Sequence, residues 1–144
     1  MSNLKKEIST GILIKQINNI YEKDFNQLLK SIGITASQCA VLDFLFYTEL
    51  EKVNQKDIEK ALSLQNPTVT GLLKRLDEKG YILAMPSNTD KRCNNIFLTE
   101  KAYDVRRVIE KRRTLMDKSL MLGMTTKEKE TFLKILKKVL YNIS

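Results

Sequence analysis

The chain has 144 residues, enough for one compact protomer, and its 42% hydrophobic content supports a core while 29% charged residues argue against a membrane protein. A net charge of +8 and a pI near 9.5 point to a polyanionic partner. Histidine is absent, which removes the commonest general base and metal ligand. Cys39 and Cys93 are far apart and form no CxxC, so a reducing cytoplasm is expected rather than a disulfide framework. The segment MSNLKKEISTG has no apolar h-region of a signal peptide, and no apolar run approaches the roughly 18 residues of a membrane span.

Residues from about Leu4 to Lys30 read as a long helix. Leu13, Ile17, Ile20, Tyr21 and Leu28 make one apolar stripe, widened by Ile8, Ile12, Phe25 and Leu29. Gly11, Asn18, Asn19 and Asn26 lower its intrinsic propensity, so packing must hold it and fraying is expected before Ile8. A turn over Ser31-Ile32-Gly33-Ile34 precedes Thr35-Ala36-Ser37-Gln38, whose pattern is a capping box. The helix it opens carries Cys39, Val41, Leu42, Leu45 and Phe46 and should be central; Cys39 reads as a small core residue, with no cation nearby to make it reactive.

A charged connector, Glu49 to Val53, leads to Asn54, an N-cap with Asp57 favourably placed in the first turn, and to a short helix with Ile58, Ala61 and Leu62 facing inward. After the turn Ser63-Leu64-Gln65, which lacks glycine, Asn66 is expected to cap the next helix, with Pro67 at its first position. Val69, Leu72, Leu73 and Leu76 form its buried stripe, and Gly80 marks its end. At about 100° per residue, Pro67, Gly71, Lys74 and Glu78 fall on the opposite face, flanked by Thr70 and Arg75, with Thr68 at the margin. That face is small and polar near its start and cationic further on, a surface suited to a groove offering base edges and phosphates.

Two short apolar runs follow, Tyr81 to Met85, stopped by Pro86, and Asn95 to Thr99. The polar segment Ser87-Asn88-Thr89-Asp90-Lys91-Arg92 between them gives a β-hairpin with a cationic tip. Two helices across a tight turn followed by a basic hairpin make a winged helix-turn-helix, spanning 35–99.

Thr99 should cap a fifth helix with a stripe of Ala102, Val105, Ile109, Met116 and Leu120. Its Arg106, Arg107, Lys111, Arg112 and Arg113 either form a solvated face paired with Asp104 and Glu110 or contact phosphates. Gly123 breaks the pattern, Thr125-Thr126-Lys127-Glu128 is a second capping box, and the last helix carries Phe132, Leu136, Val139, Leu140 and Ile143. The terminal stretches, 1–30 and 100–144, are amphipathic without an obvious place inside the lobe. Packing against a second copy of the chain covers them most economically; an intramolecular helical cap is the competing arrangement.

The chain read this way is mainly α with a small β-hairpin wing, a single protomer over 1–144. It resembles the MarR (multiple antibiotic resistance regulator) family along essentially its whole length. The likeness rests on Thr35-Ala36-Ser37-Gln38 with Val41-Leu42, on Asn54-Gln55-Lys56-Asp57-Ile58, on PTVTGLLKRLDEKGYI, and on Asp90-Lys91-Arg92 leading into Ile96-Phe97-Leu98-Thr99, similar to the family's D-x-R wing signature and its "L-T" helix start. Ala102 stands where the family commonly has Gly.

The resemblance implies a bacterial homodimer of winged-helix protomers that regulates transcription, commonly as a repressor released by a small phenolic or other anionic ligand, in other members by cysteine oxidation and in a few by metal. It places ligands between the DNA-binding lobe and the dimer helices, identifying neither effector nor operator. It also gives Asp90 the task of pairing with an arginine to fix the wing.

From the residues themselves, the DNA-contacting set is Asn66, Pro67, Thr68, Thr70, Gly71, Lys74 and Arg75 in the recognition helix, with Lys91 on phosphate and Arg92 in the minor groove from the wing. Two-fold symmetry would set two recognition helices about one DNA turn, roughly 34 Å, apart on a pseudo-palindromic duplex. No catalytic motif, metal cluster or cofactor loop is found. The alternative is a winged-helix module whose basic face meets an acidic protein.

Overall fold

The computed structural model describes residues 6–89 and 93–144. Six helices and one hairpin occur in the order α1 (Thr10–Ser31), α2 (Ala36–Tyr47), α3 (Gln55–Leu62), α4 (Asn66–Glu78), β1 (Ile82–Pro86), β2 (Asn94–Leu98), α5 (Glu100–Leu120) and α6 (Thr126–Ile143). This is the helical order and wing expected from the pattern. The chain divides into two compact units, one running to Glu110 and one from Lys111 to Ser144. No single helix among the described residues is long and apolar enough to cross a membrane.

Caps set most of the helix starts. Thr35 and Gln38 exchange both bonds of a capping box, Gln38 N donating to Thr35 Oγ1 at 3.1 Å and Thr35 N to Gln38 Oε1 at 3.2 Å. Asn54 and Asp57 form another, fuller than the single cap expected there. Thr125 and Glu128 make the third. The two backbone and side-chain bonds from Thr125 hold the Glu128 carboxyl below its usual range.

Four boundaries or faces differ from the sequence reading. The first helix starts at Thr10, not near Leu4, because Ser9 is extended and its hydroxyl accepts from Ile12 N, satisfying a free donor at that point. The residue capping α4 is Gln65, without a side-chain bond; Asn66 is already helical and its amide is spent on a neighbouring helix. Ala61 is exposed, so α3 faces inward through Ile58 and, partly, Leu62. Pro86 belongs to β1. Ser87 N bonds to Cys93 O, and hydrogen-bonded pairs alternate along an antiparallel ladder, so Pro86 opposite Asn94 falls where no inward N–H is required.

The core lies within the first unit. Leu29, Ile34, Val41, Leu42, Ile58, Val69, Leu76, Tyr81, Ile82, Ile96, Ala102 and Ile109 form one buried cluster with Cys39. The wing is tied to it through the backbone: Ile96 sits at a non-hydrogen-bonded pair with Ala84, so its N–H faces away from β1 and donates to Val53 O at 2.7 Å. Val53, expected only as part of a charged connector, is therefore buried.

The terminal stripes are different. On α1 only Leu28 and Leu29 are buried, while Ile12, Leu13, Ile17 and Ile20 are exposed; α6 buries none of its residues.

Candidate nucleic-acid interface

The candidate interface is built on α3 and α4. The turn between them needs one left-handed residue, and Ser63 takes it at φ 52° in the place a glycine would suit better. Leu64 N then bonds back to Glu59 O at 3.0 Å, and α4 starts immediately. Its stripe behaves as read: Val69 and Leu76 are fully buried and Leu72 and Leu73 half-buried, which turns the opposite face outward. Asn66, Pro67, Thr68, Thr70, Gly71, Lys74 and Arg75 are all exposed. A Cβ added at Gly71 would meet nothing within 4 Å on the protein itself.

Within this set the side chains are not equivalent. Thr70 Oγ1 accepts from Gln55 Nε2 at 2.8 Å, and the same nitrogen donates to Asn66 O at 3.3 Å. Asn66 Nδ2 donates to Glu59 Oε2 at 3.2 Å. Arg75 lies 3.6 Å from Glu78, an exposed i,i+3 pair worth little in water and easily exchanged for a phosphate. An open cleft of about 480 Å³ runs between α3, α4 and the base of the wing, with Lys56, Lys74, Asn94 and Cys93 among its lining. Because α4 has no side-chain cap, the amides of its first turn remain available to an anion.

Two fastenings hold α4 in place. At its end, Lys79 Nζ donates to Gly33 O at 2.6 Å and to Gln38 Oε1 at 2.7 Å, joining the recognition helix to the turn before α2 and to the buried cap residue. Beyond it, Gly80 at φ 79° reverses the chain, and its carbonyl receives the Thr99 hydroxyl at 2.6 Å. Thr99 Oγ1 in turn accepts from Ala102 N at 3.3 Å, so one side chain joins α4, the wing and α5. The Lys101 ammonium lies 4.7 Å from the centre of the Tyr81 ring, whose phenol is pushed up by burial.

The basic run of α5 resolves in part. Arg107 pairs with Asp104 at 2.6 Å, as the solvated-face reading has it. Arg106 instead packs over the rings of Phe46 and Tyr47, and Tyr47 OH donates to Glu110 Oε1 at 2.6 Å. The expectations for Asp90, Lys91 and Arg92 lie outside the described residues. Gln55, Glu59 and Lys79 were not singled out in the sequence; the i,i+4 spacing of Gln55 and Glu59 on the helix before the recognition helix was the available signal.

A helix-turn-helix with a two-stranded wing between its recognition helix and a long following helix defines a winged-helix nucleic-acid-binding class. The description "MarR family" is that of a family model matching residues 34–94. Over 123 residues the chain is 31% identical to an uncharacterised HTH-type transcriptional regulator, YwoH of Bacillus subtilis, covering 83% of this chain and 88% of that protein. The regulator SarZ of Staphylococcus epidermidis is 32% identical over 87 residues, 60% of this chain and 57% of its own. Among solved structures, the S. aureus MepR–DNA complex matches with a TM-score of 0.76 and 27% identity, covering 96% of this chain and 100% of that one. A mutant of MarR from E. coli matches at 0.76 and 27%, covering 94% and 99%. The chain belongs to the MarR family of helix-turn-helix transcriptional regulators, a family of regulators rather than enzymes.

Proposed function

We propose that this regulator binds double-stranded DNA sequence-specifically as a homodimer, with α4 in the major groove and the wing at the adjacent minor groove, and that it represses transcription until a small-molecule or redox signal releases it. The observation that carries the DNA reading is the outward face of α4. Its seven candidate residues are all exposed while its inner stripe is locked into the core. The similarity of the whole chain to MepR, solved in complex with DNA, supports it. Lys74 and Arg75 reach phosphates or guanine edges, the uncapped start of α4 receives a phosphate, and Lys91 and Arg92 act from the wing tip.

Dimerisation is supported by the exposed apolar side chains of α1 and α6, which a second copy would cover. The 1–30 and 100–144 segments are then the dimerisation region and 35–99 the DNA-binding lobe. A signal that changes the spacing of two recognition helices weakens both half-sites together, provided it binds the wrong-spaced state better. Fluorescence anisotropy with a duplex from the gene's own upstream region, beside a scrambled duplex and across a salt series, tests the reading. Tighter binding to the native duplex, saturating at two protomers per site, is expected. No binding even at low salt would overturn it in favour of a protein-interaction module.

A further inference from the structure

We propose that Gln55 and Glu59 set the hydrogen-bond polarity of the recognition helix, making Thr70 a donor and Asn66 an outward-facing acceptor toward base edges. The inference rests on the DNA-binding reading above and specifies what that face selects.

The polarity follows from partners that have no choice. Asn66 O is a carbonyl and only accepts, so the end of the Gln55 amide facing it is the nitrogen. That nitrogen also meets Thr70 Oγ1 at 2.8 Å, and Thr70 must therefore accept there. The hydroxyl proton has to go elsewhere. The usual inward acceptor for a helical threonine is the carbonyl four residues back. Here that is Asn66 O, which already takes the helical N–H of Thr70 and the Gln55 amide, filling its two lone pairs. On an exposed residue the proton is left facing out, away from α3.

Asn66 is fixed by the same logic. The Glu59 carboxylate accepts only, so the Asn66 nitrogen faces it at 3.2 Å and Oδ1 is turned away. One helical turn thus carries a hydroxyl donor and an amide acceptor at i+4 and i, each oriented from α3. A donor at Thr70 fits guanine O6 or N7, adenine N7 or thymine O4. It does not fit the major-groove edge of cytosine, which offers only an amino donor.

The test is selection from a duplex library by the full-length protein, comparing wild type with Thr70→Ala, Gln55→Leu and Gln55→Glu, each first shown folded by its far-UV spectrum and melting curve. Wild type should disfavour cytosine, relative to the three bases that offer an acceptor, at one half-site position, identified as the position whose preference Thr70→Ala removes. Gln55→Leu should weaken the preference there by roughly three- to tenfold, the scale of one net hydrogen bond. Gln55→Glu should move it toward cytosine, because a carboxylate takes the Thr70 proton and turns its lone pairs outward. A base preference at one position is a readout that a general loosening of α3 would not invert.

If both Gln55 variants keep the wild-type preference, or if Thr70→Ala lowers affinity equally for all sequences, the proposal is overturned while DNA binding stands. If wild type selects no sequence, sequence-specific binding itself falls, and this proposal with it.

Discussion

The winged lobe and the terminal helices α1 and α6 are both rich in leucine and isoleucine, the helices more so, yet they end in opposite states. In the lobe, Val41, Leu42, Ile58, Val69 and Leu76 are fully buried, and polar groups that enter the core, Gln38 above all, find partners. On α6 no residue is buried, and on α1 Ile20 remains 69% exposed. The lobe closes on its own contacts, whereas the apolar stripes of α1 and α6 stay largely uncovered within the chain, the state that the proposed dimer would relieve.

The sharpest way to break this contrast is to cut both kinds of leucine. Leu76→Ala should cost roughly 2–5 kcal/mol by leaving a cavity, read in urea melts at any protein concentration. Leu140→Glu should shift the protein to a monomer in sedimentation velocity, with the lobe still folded. A Leu140→Glu protein that unfolds outright while wild type is monomeric would show α6 closing within the chain instead.

A smaller effect tests how the lobe holds its recognition helix. Lys79→Met removes the donor shared by Gly33 O and Gln38 Oε1 and should cost about 1–2 kcal/mol, since Gln38 keeps only the Thr35 amide. Thermal melts measure it, and DNA affinity should fall with it as α4 loosens. Thr99→Ala, which loses the cap of α5 and the bond to Gly80, should cost about 1 kcal/mol.

The smallest expected effect is at the start of α6. The Glu128 carboxyl is held low by Thr125, so it binds fewer protons folded than unfolded near its pKa. Its contribution is present above the unfolded carboxyl value and is lost as pH falls through the depressed folded one. Glu128→Gln should abolish that acid-side slope in a pH series of melts, whereas Thr125→Ala, which keeps the backbone donor and loses only the hydroxyl, should reduce it in part.

The sequence was most legible where a local rule and the fold agree. Thr35 with Gln38, the stripe from Val69 to Leu76, Gly80 and Gly123 each state their own conformation, and each is found in it. It was less legible where two elements compete for one side chain. Asn66 has the chemistry of an N-cap, but Glu59 claims its amide, and Gln65 takes the position without a side-chain bond. The turn before α4 carries no glycine to announce it, because Ser63 takes the left-handed conformation that its neighbours impose.

By itself, then, the sequence determined the order of elements, the outward face of α4 and the basic character of the surface, because periodicity and capping are short-range and act within one or two turns. Tertiary structure alone decided that Val53 is core, that Lys79 binds the turn before α2, and that Gln55 and Glu59 aim the side chains of α4. Those bonds join residues from 7 to 46 positions apart, and no local pattern records which distant donor a folded chain brings to which acceptor.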